Sequence, residues 1–388
     1  MRSLKTRLRG LFGLALLLVW VVSLSSCILF EYRYPEELIK PTNTMGFHEL
    51  WSLEVGRENP RWPSPTQEWL SHRSLLAVDL DSDDAEELLV ALNEANQLLI
   101  VKDGQVVNRL TLEVPGEAIL DLSEVIQGTH IAKITSASGV DYATGFYLSL
   151  IDLTTGKGNL LASGRHSLFT EDLDSDGEEE VIEPVPGEKG YRAVDSSGRE
   201  LWRVPERIWA VIHVGDLDND GRQELLTPDW TIIDCEDGSV TEIKKEPENT
   251  IFYAGDIDGD GEVELVAGVS ETGTTVGVYD LNGKKRWGYS FYDVGYGVVG
   301  DVNGDGKKGI AVFSRDPKFR RSVPTADYWI FLFDAQGNLL WNYMVHCDEL
   351  YPGAFADVNG DGKDELVFFE DRWVKGNVLH VYGSKEIK

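Results

Sequence analysis

The residues with the clearest chemistry sit in one short stretch, Asp256-Ile257-Asp258-Gly259-Asp260-Gly261-Glu262-Val263-Glu264. Counted from Asp256, carboxylates fall at positions 1, 3, 5 and 9, and a glycine at position 6. Alternate side chains of a tightly wound loop converge on its concave side. A hard dication takes about six to eight oxygen ligands at ~2.3–2.6 Å, and Asp, Asn and backbone carbonyls supply them. Glycine at the sixth position admits the positive φ that so sharp a turn requires. The chemistry indicated is calcium binding.

The chain writes this loop six times. The first copy is Asp79, Asp81, Asp83 and Glu87, with Asp84 where the glycine belongs. Asp tolerates the left-handed region better than most residues, so this copy is weakened and not broken. The second is Asp172, Asp174, Asp176, Gly177 and Glu180, and the third Asp216, Asp218, Asp220, Gly221 and Glu224. The fourth is Asp256, Asp258, Asp260, Gly261 and Glu264. The fifth, Asp301, Asn303, Asp305 and Gly306, carries Gly309 in place of the glutamate. The sixth is Asp357, Asn359, Asp361, Gly362 and Glu365. Up to six structural Ca2+ ions are therefore expected.

An EF-hand would need a bidentate Glu at position 12 and a helix on each side. Position 12 reads Val90, Glu183, Thr227, Ala267, Val312 and Phe368, and the flanks are strand-like, as in Val211-Ile212-His213-Val214-Gly215. The loops are β-hairpin connections. Their first residues are separated by 93, 44, 40, 45 and 56 positions. The first interval is about twice the others, so a degenerate unit belongs inside it. Asp121-Leu122-Ser123-Glu124, after the apolar Ala118-Ile119-Leu120, is its expected loop. That makes seven units, of which the second keeps its strands and loses its metal.

Each full unit reads as four strands. An inner strand ends in a small residue (Gly215, Gly255, Gly300 or Ala356), and the acidic loop and a second apolar strand follow. The third strand ends in Asp before a Gly turn, and the fourth carries Trp202, Trp287 or Trp341. Glu49-Leu50-Trp51-Ser52-Leu53-Glu54-Val55 has the fourth-strand pattern but precedes the first unit. The last unit stops after its third strand, Asn377-Val378-Leu379-His380-Val381-Tyr382. The expected fold is all-β, a seven-bladed β-propeller with Asp-rich calcium loops over residues 46–388, closed by an N-terminal outer strand that protects the last sheet edge.

A formal charge of −30 on 388 residues argues against a nucleic-acid partner, which needs a basic face. At the N-terminus Arg2, Lys5, Arg7 and Arg9 precede an apolar run over residues 11–24, short for a membrane span with these flanks. It ends Leu24-Ser25-Ser26-Cys27, which resembles a bacterial lipobox. Residues 1–27 are accordingly read as a lipoprotein signal peptide and lipobox, and 28–45 as a tether. Lipid chains on Cys27 would anchor the exported protein to a membrane of the bacterial cell envelope, periplasmic or surface-facing, without spanning it. Cys235 and Cys347 fall in blades 4 and 6, too far apart for a disulfide.

Seven β units with Asp-x-Asp-x-Asp-Gly-x-x-Glu loops resemble the FG-GAP/VCBS repeats of the integrin α-subunit propeller, which bacterial surface proteins also carry. The resemblance covers about residues 46–388. It implies calcium in the hairpin loop between the first and second strands of a blade. The Trp-bearing fourth strands also look like quinoprotein-type repeats, found in an outer-membrane assembly lipoprotein propeller; those repeats lack acidic loops.

The seven histidines are scattered, with no His-x-x-x-His pair, nucleophile elbow or Gly-rich phosphate loop. The loop motif already accounts for the abundant carboxylates. The chain therefore reads as a calcium-binding exported lipoprotein, a binding, adhesion or scaffold module for a protein or glycan, with no catalysis of its own. The alternatives are an envelope assembly scaffold like the quinoprotein-repeat lipoprotein, or a propeller-fold polysaccharide lyase or hydrolase. The ligand face is expected opposite the calcium loops. There Arg315, Lys318, Arg320 and Arg321 form a basic insertion suited to an anionic ligand or acidic partner. Trp230, Tyr292, Tyr296, Tyr351 and Trp373 are expected to expose aromatic surface on the same face.

Overall fold

A computed structural model describes residues 36–56, 75–92, 96–115, 118–126, 129–138, 145–164, 169–174, 176–185, 190–205, 208, 211–218, 220–243, 250–268, 274–291, 294–316, 326–371 and 377–384. A short helix α1 (Glu36–Ile39) belongs to an N-terminal unit, and residues from Lys40 onward form the second unit. Cys27 and residues 1–35 lie outside the described residues.

The second unit is a ring of strands. The chain enters with β1 (Phe47–Gly56), then β2 (Leu75–Val78), β3 (Glu87–Leu92), β4 (Gln97–Lys102) and β5 (Gln105–Thr111) as blade 1. Blade 2 is β6 (Ala118–Val125), β7 (Ile131–Ser138), β8 (Gly145–Asp152) and β9 (Gly158–Gly164). Blade 3 is β10 (Phe169–Glu171), β11 (Glu180–Pro184), β12 (Tyr191–Val194) and β13 (Glu200–Val204). Blade 4 is β14 (His213–Gly215), β15 (Glu224–Leu226), β16 (Thr231–Asp234) and β17 (Val240–Glu242). Blade 5 is β18 (Thr250–Gly255), β19 (Glu264–Gly268), β20 (Thr274–Asp280) and β21 (Lys285–Phe291). Blade 6 is β22 (Val294–Gly300), β23 (Gly309–Arg315), β24 (Ala326–Phe333) and β25 (Leu339–Cys347). Blade 7 takes β26 (Glu349–Ala356), β27 (Glu365–Asp371) and β28 (Asn377–Ser384) from the C-terminus and β1 from the N-terminus. All seven sheets are four-stranded; six meander in sequence order, and in the seventh β1 pairs beside β28.

Burial follows strand position. Second strands are covered on both sides by neighbouring blades: every residue of β3, β19 and β27 is buried. Hence they read as unbroken apolar runs and not as an alternation. Outer strands face solvent, and β17 is exposed throughout. The core is a set of seams between blades. One joins blades 7 and 1 through Val358, Val367, Leu379, Leu88, Val90 and Leu99. Another joins blades 4 and 5 through Leu226, Trp230, Leu265 and Tyr279.

β1 pairs antiparallel with β28 from Phe47↔Ser384 to Gly56↔Asn377, completing blade 7 with the first strand of the chain. The preceding residues are not a loose tether: Asn43 bridges Trp341, Thr44 N donates to Leu340 O at 2.9 Å, and Asn342 N donates to Thr42 O at 3.1 Å. The N-terminal segment thus straps the outer strands of blades 6 and 7 together. Blade 2 also departs from expectation. Asp121-Leu122-Ser123-Glu124 lies inside β6, where Asp121 pairs with Thr135, and β7 begins only at Ile131. The apolar stretch before it extends through the acidic residues because strand pairing continues there.

Candidate functional site

Six hairpin loops between first and second strands share one hydrogen-bond template. The first aspartate of each accepts the N–H of position 6 on Oδ2: Asp79 from Asp84 (3.1 Å), Asp172 from Gly177 (3.1 Å), Asp216 from Gly221 (3.0 Å), Asp256 from Gly261 (2.9 Å), Asp301 from Gly306 (2.7 Å) and Asp357 from Gly362 (2.7 Å). The position-5 aspartate accepts the N–H of position 7 in every copy, as Asp260 does from Glu262 at 2.9 Å. The position-9 glutamate reaches back to the N–H of position 2, as Glu224 does to Leu217 at 2.8 Å. Position 6 takes positive φ throughout, including +72° at the non-glycine Asp84. The backbone amides orient the carboxylates and leave further oxygens to face the loop centre.

In four loops the oxygens gather. Asp79, Asp81 and Glu87 each place an oxygen within 4.8 Å of the others, as do Asp172, Asp174 and Glu180, then Asp216, Asp218 and Glu224, then Asp256, Asp258 and Asp260. The donor set is oxygen only and anionic, which fits a hard dication. In blade 3 the Asp172 Oδ1 atom is buried with no hydrogen-bond partner among the described residues, an arrangement a bound cation would satisfy. Burial first, and the neighbouring aspartates after it, push the carboxyls of Glu180 and Glu224 upward. The same causes push Glu365 up to about 8. When bound there, a divalent ion would neutralise these carboxylates and hold the loop; no chemistry on a substrate is implied.

The remaining loops are poorer. Blade 6 has Asp301, Asn303 and Asp305 but Gly309 in place of the glutamate. In blade 7 the Asn359 amide donates to Glu365 Oε1 at 2.9 Å, closing Asp357, Asn359, Asp361 and Glu365 on themselves.

Two features were not anticipated. The first is basic side chains inside the loops. Lys102 Nζ lies 2.7 Å from Asp81, 2.8 Å from Asp83 and 2.7 Å from Glu87. Those hydrogen bonds hold its ammonium well above the ordinary lysine range and, from the other side, depress the Asp83 carboxyl. Arg286 on β21 contacts Asp258 at 2.9 Å and Glu264 at 2.8 Å, leaving Asp256 and Asp260 untouched. The second is contact from loop to loop. Asp357 N donates to Glu86 Oε2 at 2.8 Å, Asp364 N donates to Asp301 O at 2.9 Å, and Lys308 N donates to Ile257 O at 2.8 Å. Position 8 of one blade thus grips the start of the preceding blade's loop. The sequence signal was an extra acid before the position-9 glutamate, as in Glu86-Glu87 and Asp364-Glu365.

The opposite face holds fewer of the expected residues. Arg315 ends β23 half-buried, its guanidinium 6.0 Å from the Tyr328 ring centroid. Lys318, Arg320, Arg321, Tyr292 and Trp373 lie outside the described residues, and Tyr296 is placed only as part of β22. Tyr351 is partly exposed and donates to Glu349. Trp230 is a correction. It is 1% exposed and packs edge-on against Tyr279 with centroids 5.2 Å apart. The short turn from Thr227 to Thr231 holds Trp230 at φ +69°, which turns the indole into the seam between blades 4 and 5.

Fold and loops together define a seven-bladed β-propeller with acidic, metal-compatible hairpins on one face. Its structure is similar, at 12% identity and a TM-score of 0.51, to the BBS1 N-terminal region crystallised in complex with ARL6 and soaked with mercury, covering 88% of this chain and 98% of that one. It is also similar to Raptor from Chaetomium thermophilum, at 12% identity and a TM-score of 0.50, covering 87% of this chain and 29% of that one. BamB from Moraxella catarrhalis aligns over 87% of this chain and 99% of its own, at 12% identity and a TM-score of 0.42. At such identities the likeness concerns the fold. No protein family matches the chain, and no curated protein does.

Proposed function

We propose that this chain is a calcium-stabilised propeller of the FG-GAP/VCBS type, exported as a lipoprotein anchored through Cys27. It presents the face opposite its acidic loops to a protein or glycan and does no chemistry on it. The observation that carries this reading is the shared loop template, which gathers carboxylate oxygens in four blades and leaves Asp172 Oδ1 buried without a partner among the described residues. Calcium is structural here. With dissociation constants of ~10⁻³–10⁻⁴ M and about 1 mM free ion, each site adds roughly 0.4–1.4 kcal/mol. Several such sites together are comparable to the stability of a whole domain. A binding role is supported by the fold, since one similar propeller, the BBS1 N-terminal region, was crystallised with ARL6.

Thermal unfolding of the full chain in EGTA, in millimolar calcium and in millimolar magnesium tests the metal reading. A midpoint raised by calcium and not by magnesium supports it, and equal midpoints in all three overturn it. Mass spectrometry of the envelope-extracted protein tests the anchor, which requires a diacylglycerol-modified Cys27 at the mature N-terminus.

A further inference from the structure

Blade 1 differs from blades 3 to 6 at one position, where those four carry an aspartate at the end of the third strand. Across β19 and β20, Glu264 pairs with Asp280, and across β15 and β16, Glu224 pairs with Asp234. These strand-end aspartates hold the next hairpin. Asp280 Oδ1 accepts from Asn282 and Lys284 at 2.9 Å, and Asp234 Oδ1 accepts from Glu236 at 2.8 Å. In blade 1, Leu88 pairs with Val101, so the corresponding strand end is Lys102. The hairpin no longer needs an aspartate there. Lys102 pairs with Gln105 across the two residues Asp103 and Gly104, at φ +50° and +71°, a tight turn that forms without side-chain help. The turn chemistry has moved one residue along the chain, and position 102 is left to face the acidic loop.

The ammonium uses that position fully. Nζ donates to Asp81 Oδ2 and Asp83 Oδ2 and lies in ion-pair contact with Glu87 Oε1, all at 2.7–2.8 Å. Two of them, Asp81 and Glu87, belong to the gathered set Asp79, Asp81 and Glu87, and the Glu87 side chain is only 4% exposed. A dication entering there would have to displace a charge-assisted hydrogen-bond set and sit against a like charge. Among the described residues, no basic side chain makes an ion pair with the carboxylates of the blade 3 or blade 4 clusters, and Arg286 reaches only part of the blade 5 cluster.

We propose that Lys102 is the resident cation of the blade 1 loop, which therefore takes no calcium, while its side chain does for that loop what a metal does elsewhere. The calcium count in this proposal rests on the metal reading above; the lysine's structural role does not.

Equilibrium dialysis of the full chain against radioactive calcium counts ions per chain. The double variant Asp81→Asn/Asp83→Asn is expected to bind as many as the wild type, whereas Asp216→Asn/Asp218→Asn loses one. Loss of one ion in the first variant overturns the proposal. Lys102→Asp, which restores the residue type of blades 3 to 6, is expected to gain one ion, and no gain counts against it. A separate arm needs no calcium: Lys102→Met in EGTA should unfold several degrees below the wild type, and an unchanged midpoint overturns the proposal. If the wild type binds no calcium at all, the metal reading fails, and the EGTA arm alone decides the role of Lys102.

Discussion

His380 Nδ1 lies 2.8 Å from Glu49 Oε1, joining residues 331 apart in sequence across the strand pair that closes the ring. The other ring nitrogen, Nε2, lies 2.9 Å from Glu370 on β27, so one imidazole ties the first strand of the chain to the last two. Its ring also stacks on Phe368 at 5.1 Å. Replacing His380 with Ala leaves Glu370, which is 5% exposed, without this partner. The expected cost is about 1–3 kcal/mol, read as a lower urea midpoint. Deleting residues 46–55 should cost much more, because it opens blade 7; a truncated chain that melts like the intact one would refute this closure.

Trp230 is a core residue, and its truncation is a core defect. Trp230→Ala should lose about 3–5 kcal/mol in denaturant unfolding, through lost contact with Tyr279 and the cavity left in the seam. A neutral effect would return it to the surface.

Gly304 is the sharpest test of the belt of loops. It sits at φ +68°, and a Cβ there would lie 2.5 Å from the carbonyl oxygen of Gly362 in the next blade. Gly304→Ala therefore combines backbone strain with a clash between neighbouring loops and should cost about 1–3 kcal/mol. Gly198→Ala shares the positive φ, at +82°, but meets nothing within 4 Å, so it should cost less. Equal losses in the two variants would show that the loops do not press on one another.

The metal-free protein should grow less stable as pH rises. Glu365 is pushed from an ordinary 4.5 to about 8 by burial, then by Asp361 and Asp357, and Asp371 from 3.8 to about 6 by burial, then by Glu349 and Asp348. Each is a carboxyl whose folded pKa lies above its unfolded one. The stability from keeping its proton is complete below the unfolded value and is lost as pH rises through the folded one. The window is about 4.5 to 8 for Glu365 and 3.8 to about 6 for Asp371. In EGTA the unfolding midpoint at pH 5.5 should exceed that at pH 8.5, and Glu365→Gln should flatten the upper part of the slope. A flat profile in the wild type would refute the assignment.

Much of this protein was determined by its sequence alone. The acidic loop fixes its own local shape, because aspartates at alternate positions capture the N–H groups of their own turn. Six repetitions of that loop, with apolar strands between them, therefore announced the blades, their number and the closing strand, as the Trp51 segment shows in pairing with β28. What the tertiary structure decided were the contacts between units far apart in the chain or facing across a hairpin. No local pattern says that Lys102 enters the loop begun by Asp79, that Glu86 grips the loop of blade 7, or that residues 40–45 run along β25. Nor does composition tell a buried Trp230 from an exposed one; the backbone turn at that residue sets the direction of its side chain. Local hydrogen bonding is written in short spacings, whereas charge pairing and seam packing depend on which blade lies beside which, and only closure of the ring settles that.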